Sequence, residues 1–96
     1  MRITIDGRTI KTEKDLHIVL ATELEFGAYY GHNLAALWDR LSCDVERPIH
    51  LIWLDSAVSK QAIGEEVFHK IIKLFEDVRD EDAAYPTQDK FTFELL

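Results

Sequence analysis

The chain opens with apolar and polar residues in alternation. Ile3 and Ile5 fall on one side of an extended segment, which predicts a first strand closed by the turn signal Asp6–Gly7. Thr12 then stands ahead of Glu13 and Asp15, the spacing of a helix N-cap with acids in the first turn. Behind it, Leu16, Val19, Leu20 and Leu24 recur on one helical face, which predicts a helix ending near Glu25. Phe26 to His32, punctuated by Gly27 and Gly31, reads as a loop. Asn33 is suited to cap a second, shorter helix that reaches Ser42, with Leu34, Leu37, Trp38 and Leu41 at core spacing.

Pro48 ends whatever precedes it. Ile49 to Leu54 is a short apolar run without strict alternation, the pattern of a parallel strand covered on both faces. Asp55 to Ile63 has room for a turn of helix before Gly64, the weakest element of the pattern. The longest helix is expected from Glu65 to Asp82, burying Phe68, Ile71, Ile72, Phe75 and Val78. Tyr85–Pro86–Thr87 reads as a loop, and Phe91, Phe93 and Leu95 alternate as a final strand. Strands and helices in this order predict an α/β fold: a three-stranded parallel β-sheet with right-handed crossovers, packed with three to four helices.

Composition narrows the class. A chain of 96 residues fits one domain, and 47 % apolar with 30 % charged residues is the balance of a folded chain rather than a disordered one. Eleven Lys and Arg against 18 Asp and Glu leave a net charge of −7. That charge repels phosphate backbones, so no nucleic acid is expected as a partner, whereas a basic protein surface suits it. No apolar run approaches the roughly 20 residues of a membrane span. Residues 1–6 lack a signal-peptide layout, and Cys43 is the only cysteine, which together read as a cytoplasmic chain without an internal disulfide. Cys43 itself reads as a small packing residue.

Little in the sequence looks like reaction chemistry. His17, His32, His50 and His69 lack the spacing of a zinc site and read as surface or partly buried imidazoles. There is no nucleophile elbow and no phosphate-binding glycine loop, so neither catalysis nor a cofactor or metal is expected. Two features stand out instead. Tyr29–Tyr30–Gly31 leads straight into the short helix bearing Trp38 and Asp39. Asp39 falls about 100° round from Trp38, off the core stripe and on the side of Ala35. The second feature is Glu76, Asp77, Asp80, Glu81 and Asp82 at the end of the long helix. Acids there oppose the helix dipole, which fits either a solvated face or charge kept for a partner.

The block Tyr29–Tyr30–Gly31–His32–Asn33–Leu34–Ala35–Ala36–Leu37–Trp38–Asp39 resembles the signature Tyr-Tyr-Gly-x-Asn-Leu-Asp-Ala-Leu-Trp-Asp of the barstar family of intracellular ribonuclease inhibitors. The similarity continues through Ile5–Asp6–Gly7, Asp15–Leu16–His17, Pro48, Trp53 and Ser59–Lys60–Gln61. The resemblance implies an inhibitor or immunity protein of the antitoxin type, not an enzyme. Its partner would be a cognate ribonuclease or ribonuclease toxin domain with a basic active site, bound 1:1.

In that family the loop and second helix press into the RNA-cleaving site. By resemblance, Asp39 takes the place of a substrate phosphate and Tyr29 packs against the enzyme's active-site histidine. Gly31, Asn33, Leu34 and Trp38 correspond to neighbouring contacts. Ala35, Asp44 and Asp77 depart from the pattern, whereas Glu81 keeps it. Ala35 stands where the family has an Asp, and Asp44 where it has a tryptophan. Asp77 and Glu81 align with two family glutamates after a one-residue insertion. The alternative implied by Ala35 is a binding module of the same fold with a regulatory or structural role.

Overall fold

Three strands pair in parallel in the order β1–β2–β3, with β1 at Arg2–Asp6, β2 at Ile49–Leu54 and β3 at Phe91–Leu95. The register sets Ile3 beside Leu51 and Ile5 beside Trp53, and on the other edge Ile49 beside Phe91 and Leu51 beside Phe93. The computed structural model describes residues 1–84 and 90–96, so the expected Tyr85–Pro86–Thr87 loop lies outside the described residues. Four helices join the strands: α1 (Glu13–Glu23), α2 (Leu34–Asp39), α3 (Ser56–Ile63) and α4 (Glu65–Ala83). No helix among the described residues is long and apolar enough to cross a membrane.

Ile3, Ile5, Leu51, Trp53 and Phe91 all project to one face of the sheet, into a core completed by Leu16 and Leu20 of α1, Leu37 of α2 and the inner side of α4. Trp53 is fully enclosed, its ring 5.2 Å from Phe68, while Phe75 lies 6.0 Å from Phe91. Tilted aromatic pairs at such distances add to the large area these rings remove from water. The expectation that β2 is covered on both faces is corrected here. Thr4, Thr92 and Glu94 on the opposite face are exposed and His50 partly so, and Ile52, though shielded, stands outside the core cluster. In the sheet register Ile52 stands between Thr4 and Glu94.

On α1, Thr12 Oγ1 accepts the Asp15 amide at 3.0 Å, the capping arrangement that the spacing predicts. On α4 the buried residues are Phe68, Ile71, Leu74, Phe75 and Val78, so Leu74 lies inside and Ile72 only half inside. The segment after β2 is a helix of eight residues rather than a single turn. Its inward positions are Ser56 and Ser59, so it carries no apolar stripe to announce itself. Ser59 Oγ donates to the Gly7 carbonyl at 2.8 Å and accepts from Trp53 Nε1 at 3.2 Å, which ties α3 to both β1 and β2. Gly7 has to be glycine: a Cβ there would lie 2.2 Å from the Asp55 carbonyl oxygen.

Candidate functional site

The loop between α1 and α2 is fastened from within. Phe26 and Tyr30 turn inward with ring centroids 4.8 Å apart, and His32 lays its ring over Tyr30 at 5.1 Å. The Tyr30 hydroxyl lies 2.6 Å from Nδ1 of His17, whose Nε2 lies 2.9 Å from a Glu13 carboxylate oxygen. Burial pushes the Tyr30 phenol well above its usual pKa, the charge of Glu13 adds to this, and Arg40 opposes it. The phenol therefore keeps its proton, and the two contacts engage both ring nitrogens of His17. His17 is fully buried and not a surface imidazole; its two partners satisfy both ring nitrogens inside the core. With Tyr30 anchored, Tyr29 is thrown outward and is 95 % exposed.

Asn33 builds the start of α2. Its Oδ1 accepts the Ala36 amide at 2.8 Å and its Nδ2 donates to the Gly31 carbonyl at 3.2 Å, so one side chain caps the helix and braces the loop. Leu37 is buried, Leu34 and Trp38 are half-buried, and Ala35 and Asp39 face solvent. The carboxylate of Asp39 has no hydrogen-bond or ion-pair partner among the described residues.

The expected helix to Ser42 does not continue as an α-helix. After Asp39 it widens into a π-helical turn over Arg40–Asp44, closed by the Val45 amide donating to the Arg40 carbonyl at 3.1 Å. Leu41 is the turn's buried residue, whereas Cys43 is exposed, which corrects its reading as a packing residue. The widened turn aims Leu41 at the core, and two positions later Cys43 is carried to the outside. Asp44 is exposed, 3.7 Å from Nε of Arg40, whose guanidinium also lies over the Phe26 ring.

Of the sequence-derived candidates, Tyr29, Gly31, Asn33, Leu34, Ala35, Trp38, Asp39 and Asp44 occupy one continuous segment, with Trp38, Leu34 and Asn33 as its braced side and Tyr29, Ala35 and Asp39 as its open side. Asp77 and Glu81 lie one turn apart on α4, which packs against α2. Asp77 is held by Lys73 Nζ at 2.7 Å and Glu81 is exposed. Among the described residues no three His, Cys, Asp or Glu side chains gather as a metal-binding group. A shallow hollow lined by Ala57, Lys60, Gln61, Gly64 and Glu65 lies between α3 and α4, on other elements than this segment.

Sequence reasoning missed Arg47 and counted Asp82 only as one more acid. Arg47 Nε donates to Asp82 Oδ2 at 2.7 Å, and the same oxygen accepts the Phe91 amide at 2.6 Å. Burial alone would raise the Asp82 pKa. Hydrogen bonds from Arg47 and the Phe91 amide outweigh it, with the charges of Arg47 and Lys90, and hold the carboxyl below its usual range. Partners this far apart in sequence leave no local spacing to read.

A three-stranded parallel sheet backed by four helices, with a braced loop-and-helix edge, defines a small α/β protein of the barstar type. The chain belongs to the barstar family: the family model described as Barstar (barnase inhibitor) matches residues 1–95. It is also similar to the Bacillus subtilis (strain 168) protein named "Putative ribonuclease inhibitor YrdF". The two are 36 % identical over 83 residues, which is 83 % of this chain and 91 % of that protein.

Proposed function

We propose that the chain is a ribonuclease inhibitor of the immunity or antitoxin type, binding one cognate ribonuclease in the cytoplasm as a single domain and carrying out no catalysis itself. The observation that carries this reading is Asp39, an exposed carboxylate without a partner among the described residues, held on a capped helix next to the outward Tyr29. Such a carboxylate, entering a preformed cationic pocket, makes charge-assisted bonds where an RNA phosphate would otherwise sit. Tyr29 supplies rigid aromatic area beside it, and Gly31, Asn33, Leu34 and Trp38 shape the edge that excludes water. Asp44, Asp77 and Glu81 extend the negative field on either side, which with the net charge of −7 steers a basic enzyme toward the edge.

The test pairs two measurements on Asp39→Ala: inhibition of RNA cleavage by a panel of small basic ribonucleases, barnase included, and urea unfolding of the free chain. Truncation leaves the enzyme's cations without a counter-charge, so the expected loss is about 2 kcal/mol or more, roughly thirtyfold, a range established partly on barstar itself. Stability is expected to move by only about 0.5 kcal/mol, because Asp39 is outside the core. Unchanged inhibition would refute the phosphate-mimic mechanism. Ala35, which lacks the carboxylate of the family pattern, favours the second reading of a non-inhibitory binding module; failure of the parent chain to inhibit any ribonuclease in the panel selects it.

A further inference from the structure

The proposed contact surface is split between two elements with no covalent tie nearby: the α2 edge with its π-helical turn, and the face of α4 bearing Asp77 and Glu81. Besides the packing of α4 on α2, one guanidinium joins them. Arg47 gives Nε and Nη2 to the two carboxylate oxygens of Asp82, at 2.7 Å and 3.4 Å. Its Nη1 donates to the Val45 carbonyl at 2.8 Å and its Nη2 also to the Leu41 carbonyl, so the same side chain closes the exit of the π-helical turn. Helix ends leave such carbonyls without intrahelical partners, and here a charged donor takes them. Asp82 in turn receives the Phe91 amide, so the last turn of α4, the start of β3 and the exit of the turn meet on one ion pair. Both side chains are largely shielded, at 14 % and 16 % exposure.

We propose that Arg47 and Asp82 are positioning residues that set the spacing between the two halves of the contact surface. The proposal rests on the reading of Asp39, Asp44, Asp77 and Glu81 as that surface. The planar guanidinium fork fixes direction as well as distance, which a lysine ammonium cannot do. A surface held at its binding geometry loses less freedom on association, so the clasp acts on how long a complex lasts rather than on how fast it forms.

The experiment uses the full chain and its native thiol. Cys43 is exposed on the π-helical turn, and an Asp80→Cys substitution supplies a second thiol on α4. Nitroxide labels at both positions report the separation of the two elements by pulsed electron spin resonance, with no ribonuclease needed. A narrow distance distribution is expected in the parent, and a broadened one in Arg47→Lys and in the doubly substituted Arg47→Met/Asp82→Asn, measured where circular dichroism shows each folded. In a ribonuclease that the parent inhibits, both variants should dissociate about tenfold faster with little change in association rate. An unchanged distance distribution with a lowered urea midpoint would overturn the proposal, leaving the pair a stabilising contact only. Should the doubly substituted chain not fold, Arg47→Lys, which keeps the charge, decides. If no ribonuclease is inhibited, the inhibitor reading fails while the distance measurement still answers for the clasp.

Discussion

Tyr29 and Tyr30 are consecutive, yet one ring is 95 % exposed and the other 4 %, its hydroxyl hydrogen-bonded to the buried His17. The two substitutions should therefore separate cleanly. Tyr30→Phe leaves His17 Nδ1 without its hydrogen-bond partner inside the core and is expected to cost about 1–3 kcal/mol. Tyr29→Ala removes only surface area and should stay within about 0.5 kcal/mol of the parent. Urea unfolding of both variants checks this, and equal losses would contradict the anchoring role given to Tyr30.

The bridge from Trp53 through Ser59 to Gly7 makes a second contrast. Ser59→Ala strips partners from the Trp53 indole N–H and the Gly7 carbonyl together, an expected cost of about 1–3 kcal/mol. Gly7→Ala should be worse, about 3 kcal/mol or more, because the added Cβ meets backbone rather than a side chain that can turn away. Thermal unfolding ranks the two, and a mild Gly7→Ala would mean that the β1–α3 approach relaxes readily.

Asp82 predicts the shape of the acid limb of stability. Its carboxyl is held below the usual range when folded, so the unfolded chain takes up the proton first as pH falls. The stabilisation is then complete above the unfolded carboxylate pKa, about 3.9, and is lost as pH drops through it to the folded value. Asp82→Asn should be less stable than the parent at pH 7, and the gap should close below about pH 4. Urea midpoints from pH 7 to 2 measure it; a gap of constant size would remove ionisation of Asp82 as the cause.

The two tryptophans should report different regions. Trp53 is fully enclosed in the sheet and Trp38 half-buried on α2. In Trp38→Phe, the remaining emission should resist acrylamide. In Trp53→Phe it should be quenched readily, and should change when an inhibited ribonuclease is added. A response confined to Trp53 would place the contact surface elsewhere.

Much of the fold was legible where one side chain in three or four had to be apolar. Leu16 and Leu20, or Phe68, Ile71 and Phe75, announce their helices because burial requires that spacing. α3 was the faintest element because Ser56 and Ser59 face inward, where hydrogen bonds replace apolar contact. Ile52 misled in the other direction: an apolar residue outside the core cluster, it made a one-sided strand read as two-sided. Most of the candidate site could be proposed from the sequence because it is local, falling in the eleven consecutive residues from Tyr29 to Asp39, with Asp44, Asp77 and Glu81 outside that block. The free state of the Asp39 carboxylate, the widened turn at Arg40 and the Arg47–Asp82 clasp depend on three-dimensional neighbours, and no pattern along the chain encodes them.

A sheet covered on one side gives the molecule a front and a back. The loop that carries Tyr29 and the helices that carry Asp39 and Asp77 lie on the covered side, while Thr4, Thr92 and Glu94 project from the bare one. Changes on that rear surface touch neither the packed interior nor the proposed contact segment. Drift can accumulate there at little cost, and a tether, dye or solid support attached through Thr92 would leave the working edge pointing away from the anchor.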